Sequence, residues 1–73
     1  METTIRPYGM SDAEWRDRCH AFVRDLSTTR TGSTKAAEAY IAEAERQDGE
    51  GCWAENFSDL RDVREDFCFY AIY

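Results

Sequence analysis

The apolar residues between positions 15 and 26 recur at the spacing of one helix face, and this pattern constrains the fold most. The members of this face are Trp15, Cys19, Phe22, Val23 and Leu26. Ser11, followed by Glu14 three residues later, matches the capping box that often begins a helix. The sequence therefore predicts a first helix over residues 12–26.

A second helix is predicted after a polar break. Residues 27–34 are rich in hydroxyl side chains, which compete for backbone hydrogen bonds and indicate a loop. Ser33 or Thr34 then caps a segment with an apolar face at helical spacing, which is predicted to run to about Gln47. The inward residues of that face are Ala37, Tyr40, Ile41 and Ala44. Residues 48–51 contain two glycines and predict a turn.

Two structures compete for the C-terminal part of the chain. Ser58 is a candidate cap for a third helix that ends near residue 65 or 66. Residues 67–73 are aromatic and β-branched, which favours a strand after that helix. The alternative is one continuous helix from Ser58, because several apolar residues are also spaced by threes and fours. These residues are Leu60, Val63, Phe67 and Tyr70.

The fold class predicted from these elements is α+β. We expect a small, helix-rich single domain over residues 1–73, with two or three helices and a short sheet formed by the C-terminal segment. Residues 3–8 form at best an edge strand, because Pro7 cannot donate a hydrogen bond to a sheet. The alternative is an all-α three-helix bundle.

Large aromatic side chains are the expected core. A domain of 73 residues removes only about 60% of its unfolded surface from water, so a few bulky residues must fill its interior. The candidates are Trp15, Phe22, Tyr40, Trp53, Phe57, Phe67, Phe69 and Tyr70. An aromatic content of 14% also argues against disorder.

The net charge of -6 lies entirely in the second half of the chain. Residues 1–37 carry six basic and five acidic residues, whereas residues 38–73 carry three basic and ten acidic residues. The ten are Glu38, Glu43, Glu45, Asp48, Glu50, Glu55, Asp59, Asp62, Glu65 and Asp66. A negative field repels phosphate backbones and attracts basic protein surfaces. These ten residues are the predicted partner-binding site, although an acidic face can also serve solubility alone.

The sequence contains no convincing catalytic or metal-binding arrangement. Cys19 and His20 are adjacent, but neighbours on a helix point about 100° apart, which disfavours a nucleophile and base pair. A zinc site built from these two residues with Cys52 and Cys68 lacks the paired spacing typical of such sites. No Gly-rich phosphate loop is present. We therefore predict neither an enzyme nor a cofactor nor a metal.

The expected location is the cytoplasm. Three cysteines leave at least one unpaired, and none lies in a CxxC arrangement, which indicates a reducing compartment. The first residues do not resemble a signal peptide, and no stretch approaches the roughly 20 apolar residues of a membrane span. Export and membrane association are not expected.

The functional prediction is a small acidic inhibitor that occupies a basic, nucleic-acid-binding surface of a target machine. This mode of action is that of phage anti-CRISPR or anti-restriction proteins, and the comparison rests on small size, acidity and the lack of catalytic motifs. Direct nucleic-acid binding is not expected. Aromatic residues are candidate anchors at such an interface, although a small domain needs most of them for its core. These candidates are Trp53, Phe57, Phe69, Tyr70 and Tyr73.

An interaction or assembly module is the alternative function. In that hypothesis the exposed C-terminal strand pairs with its counterpart in a second chain and forms a homodimer.

Overall fold

The computed structural model describes residues 5–49 and 52–71, and each regular element in these ranges is a helix. The helices are α1 (Asp12–Thr31), α2 (Lys35–Asp48), α3 (Cys52–Glu55) and α4 (Leu60–Ala71). The predicted α+β class with a short sheet is wrong, because no strand forms in the described ranges. The β structure there is limited to an isolated bridge between Ile5 and Asp59. The all-α alternative fits this architecture, with α3 as an additional single turn.

Helix α1 begins as predicted and ends later than predicted. Ser11 is its N-cap, and the Ser11 hydroxyl accepts a hydrogen bond from the backbone N–H of Glu14 at 3.2 Å. The predicted end at residue 26 is wrong, since the helix continues to Thr31. The Thr31 hydroxyl donates to the Ser27 carbonyl at 2.7 Å, so this hydroxyl adds to the helical bonding. The predicted loop over 27–34 shrinks to residues 32–34.

Ser27 connects α1 to the start of α2. This side chain is buried, and its hydroxyl donates to the Ser33 carbonyl at 2.6 Å while accepting from the Ala37 N–H at 3.4 Å. The turn between the helices depends on Gly32, whose φ of 85° is a left-handed value that favours glycine. Of the two predicted caps, Ser33 accepts the Lys35 N–H at 3.2 Å, whereas the Thr34 side chain forms no capping bond.

Helix α2 ends one residue past the predicted Gln47 and is followed by the short helix α3. Gly49, with φ of 95°, donates its N–H to the Glu45 carbonyl at 2.8 Å and closes α2. The rest of the predicted turn, residues 50–51, lies outside the described residues. Trp15 holds α3 against α1: its indole N–H donates to the Ala54 carbonyl at 2.8 Å and to the Phe57 carbonyl at 2.9 Å.

Helix α4 replaces the predicted C-terminal strand. A strand would place Phe67 and Phe69 on the same face, yet Phe67 is fully buried and Phe69 is 77% exposed. The buried residues Leu60, Val63 and Phe67 follow the helical spacing instead, as the continuous-helix alternative predicted. The short aromatic run is compatible with either structure, and packing of this face onto the other helices favours the helix. The rest of the predicted strand, residues 72–73, lies outside the described residues.

The start of α4 differs in detail from the prediction. Asp59, rather than Ser58, caps this helix, because its carboxylate accepts the Arg61 N–H at 2.9 Å. The Ser58 carbonyl instead accepts the N–H of Arg6 at 2.8 Å, next to the Ile5 bridge. The predicted edge strand over residues 3–8 is therefore reduced to this single bridge in the residues that are described.

The core lies between α1 on one side and α2, α3 and α4 on the other. Of the predicted core aromatics, four are buried, two are partly buried, and Phe69 and Tyr70 are exposed. The buried four are Trp15, Tyr40, Trp53 and Phe67, and the partly buried two are Phe22 and Phe57. The molecule is flat, with extents of 33 × 32 × 16 Å.

Candidate functional site

A groove of about 690 Å³ lies between the second half of α2, α3 and the second half of α4. Among the described residues, five aromatic residues contribute to its lining: Tyr40, Trp53, Phe57, Phe69 and Tyr70. Phe69 and Tyr70 follow Asp66 by three and four residues, so the helical repeat of α4 places both on the side of the helix that carries Asp66, and both are exposed there. Exposed aromatic side chains at the mouth of a concave surface are typical of binding sites.

Tyr40 packs against three other aromatic residues. Its ring contacts Trp53 edge-on at 5.6 Å between centroids, Phe67 at 5.3 Å and Tyr70 at 5.5 Å. Its hydroxyl donates a hydrogen bond to the Asp66 carboxylate. Burial, followed by this hydrogen bond to Asp66, raises the pKa of Tyr40 well above its ordinary value. Tyr40 therefore remains a neutral donor that fixes Asp66 in the groove.

The polar lining of the groove is acidic. Asp48, Asp66 and Glu43 contribute carboxylates, and the described residues of the lining include no lysine, arginine or histidine. Asp48 accepts a hydrogen bond from the Asn56 side chain at 3.3 Å. Glu43 is partly neutralised, because the Arg46 guanidinium lies 2.6 Å from it and lowers its pKa. Asp48 and Asp66 are the groove carboxylates with no basic side chain within 4 Å in the described residues.

The opposite side of α2 carries polar contacts with α1. Helical spacing places Glu38 and Glu45 on that side. The Arg24 guanidinium lies 2.6 Å from Glu38, and His20 Nε2 lies 3.0 Å from the Glu45 carboxylate. The pKa of Glu38 is lowered, chiefly by its hydrogen bond from Arg24. These two carboxylates of the predicted site thus serve the packing of α2 on α1.

Four of the ten predicted acidic residues have a basic side chain within 4 Å, five have none in the described ranges, and Glu50 lies outside them. The four are Glu38, Glu43, Glu45 and Asp59. The five are Asp48, Glu55, Asp62, Glu65 and Asp66. All five are exposed, and they lie between the C-terminal end of α2 and α4. Among the described residues, the structure therefore separates acidic side chains that have a basic neighbour from those that have none.

The environment of Cys19 does not suit a nucleophile. Its side chain is fully buried, and burial raises the pKa of the thiol to about 11. Reactive cysteines need the opposite shift, which stabilises the thiolate at neutral pH. The neighbouring His20 is bonded to Glu45 and stacks on the Trp53 ring, at 5.6 Å between centroids and 7° between planes.

The zinc hypothesis gains no support from the described residues, which contain no group of three potential ligands close enough to hold a metal. Cys19 and Cys68 are both free thiols.

Sequence reasoning missed the groove, although part of its signal was available. The continuous-helix alternative already placed Phe67 and Tyr70 on one helix face, and Asp66 lies four residues before Tyr70. The pairing of Tyr40 with Asp66 joins residues 26 positions apart, which no local pattern identifies. Of the predicted aromatic anchors, Phe69 and Tyr70 are exposed at the groove, Trp53 is buried, Phe57 is partly buried, and Tyr73 lies outside the described residues.

Comparison with known proteins gives no relative: no family model, no curated protein and no solved structure matches this chain. Among the helices of the described ranges, none has the length and apolar character that crossing a bilayer requires.

Proposed function

We propose that this chain is a small acidic inhibitor that binds a basic, nucleic-acid-binding surface of a target machine through α4 and the groove beside it. The observation that carries this proposal is the group of exposed carboxylates without basic partners in the described residues. This acidic patch consists of Asp48, Glu55, Asp62, Glu65 and Asp66. A field of this sign attracts basic surfaces and accelerates association with them.

The distribution of charge on α4 supports this choice of surface. Helical spacing places Asp62 and Asp66 one turn apart, on the flank next to α2, with Glu65 towards solvent. Arg61 and Arg64 lie on the other flank of the same helix. This separation of acidic from basic side chains gives one flank of α4 an acidic surface, which continues into the groove.

The proposed mode of action is that of phage anti-CRISPR or anti-restriction proteins, and the proposed location is the cytoplasm. In this mode the acidic patch competes with nucleic acid for the same basic groove of the target. The negative charge itself disfavours direct nucleic-acid binding by the chain. The free thiols of Cys19 and Cys68 are consistent with a reducing compartment.

Affinity capture at low and high salt tests this proposal, with bound proteins identified by mass spectrometry. We expect a basic nucleic-acid-binding protein to be retained at low salt and released at high salt, where surface charges are screened. The purified target should then lose its nucleic acid when the chain is added. Recovery of no such protein, or a captured protein whose nucleic-acid binding is unaffected, would contradict the proposal.

Charge reversal at two positions locates the surface. Asp62→Lys combined with Glu65→Lys should abolish retention, whereas Asp17→Lys combined with Asp25→Lys changes the net charge equally on α1 and should preserve it. Asp59 is unsuitable for this test because it caps α4. Equal effects of the two double variants would show that binding depends on net charge alone.

A homodimeric assembly module is a second proposed function, favoured by the 77% exposure of Phe69 and the 51% exposure of Tyr70. Pairing through a C-terminal strand no longer applies, since residues up to 71 are helical. Sedimentation of the chain as a monomer at high concentration would dispose of this second proposal.

A further inference from the structure

The groove between α2, α3 and α4 is lined by aromatic rings and by carboxylates, and together these favour a cationic ligand. Aromatic faces at the rim, from Phe69 and Tyr70, attract cations through the ring quadrupole. Asp48 and Asp66 supply carboxylates with no basic side chain nearby in the described residues. An apolar helix from a partner would bury these carboxylates without compensation, which is costly.

A planar cation matches this lining better than a compact one. The arginine guanidinium stacks on aromatic rings, forms two parallel hydrogen bonds to one carboxylate and is less strongly hydrated than the lysine ammonium group. Asp66 is already oriented by the Tyr40 hydroxyl, so its carboxylate is held in place before a ligand arrives. At about 690 Å³, the groove is also large enough to hold an arginine side chain.

We propose that the groove receives an arginine side chain from the basic partner, with the guanidinium against the rings of Phe69 and Tyr70 and hydrogen-bonded to Asp66. This inference rests on the proposed function and specifies its anchor. The wider acidic patch attracts the partner at long range, and the arginine then fixes the position of the partner on the groove. Arginine is among the residues that most often dominate binding energy at interfaces.

Four capped peptides test the inference. They share two lysines on each side and differ at the central residue, which is arginine, lysine, citrulline or glycine. The lysines supply the same long-range attraction in every peptide, and citrulline keeps the planar shape without the charge. Binding is followed by the amide resonances of the isotope-labelled chain and by tryptophan fluorescence, because Trp53 lines the groove.

The arginine peptide should bind about two- to fivefold more tightly than the other three, the range expected of one exposed cation–π contact. Phe69→Ala and Asp66→Asn should each reduce its affinity to that of the lysine peptide. Both variants should fold, since Phe69 is exposed and asparagine retains an oxygen that accepts from Tyr40. Their matched controls are Tyr8→Ala, an exposed aromatic outside the groove, and Asp25→Asn on α1.

The possible failures are distinguishable. In one outcome all four peptides bind equally, reversal of Asp62 and Glu65 lowers their binding, and Phe69→Ala leaves it unchanged. This outcome would overturn the arginine anchor and leave the proposed function standing. Absence of binding by any peptide would count against both. Shifts of the groove resonances with protein concentration alone would identify a second copy as the occupant and overturn the inference.

Discussion

The imidazole of His20 lies parallel to the indole of Trp53, and both rings direct a nitrogen at the same carboxylate oxygen of Glu45. His20 Nε2 is 3.0 Å from that oxygen, and the Trp53 Nε1–H donates to it over 3.2 Å. One residue of α2 thus fixes a residue of α1 and a residue of α3. The arrangement gives Glu45 a structural role that its place among ten acidic residues does not indicate.

Removal of this acceptor should destabilise the fold. Glu45→Ala leaves two partly buried donors without their partner, and we expect the free energy of unfolding to fall by about 1–3 kcal/mol. Glu38→Ala is the matched control, because it removes an exposed ion pair on the same flank of α2 and should cost less stability than Glu45→Ala. Urea unfolding followed by far-UV circular dichroism measures both, and equal losses would contradict this role of Glu45.

Ser27→Ala tests the connection between α1 and α2. The buried Ser27 hydroxyl bonds to both Ser33 and Ala37, so its removal should cost about 1–2 kcal/mol despite the better helix propensity of alanine. Thr29→Ala, at an exposed position of α1, should change stability by less than about 0.5 kcal/mol. If thermal unfolding shows the two variants to be indistinguishable, Ser27 does not connect the helices as described.

Asp59→Ala tests the cap of α4. Loss of the bond to the Arg61 N–H should lower stability by about 1 kcal/mol, whereas Asp59→Asn keeps an accepting oxygen and should lose less. Glu65→Ala is the control on the exposed face of the same helix. A chemical denaturation midpoint that falls equally in all three variants would argue against a capping role.

The buried thiol of Cys19 should make stability fall in alkaline solution. Because its pKa rises in the folded state from about 9 to about 11, the folded chain retains a proton there that the unfolded chain has lost. The free energy of unfolding therefore decreases as the pH rises through this window. Urea unfolding should show a steeper decline for the parent chain than for Cys19→Ala. Parallel slopes in the two would refute the assignment.

Local signals were sufficient for the start of α1 and for the presence of α2, and they were insufficient for the end of α1 and for the end of the chain. The Ser11 cap and the apolar spacing after it are short-range features, and the structure confirms both. Residues after Asp66 satisfy strand and helix preferences alike, so the choice depends on the packing of Phe67 against distant residues. The hydroxyl-rich stretch misled in a similar way, because Ser27 finds its partners across a turn rather than within a loop.

The acidic character of the groove can be anticipated from the sequence, whereas its shape cannot. A count of carboxylates identifies an acidic second half of the chain, but the count treats Glu38 and Asp66 alike. Arg24 neutralises the first from another helix, and Tyr40 orients the second within a groove. Both distinctions arise from contacts between residues far apart in sequence, which charge patterning does not contain.

The smallest extent of the molecule is 16 Å, and its core reaches the groove without a separate layer between them. Tyr40 and Trp53 hold the helices together and also line the groove. Folding and occupancy are therefore thermodynamically linked: a groove ligand at a hundred times its dissociation constant adds about 2.7 kcal/mol to the stability of the native state. A tight partner would thereby rescue weakened variants such as Glu45→Ala.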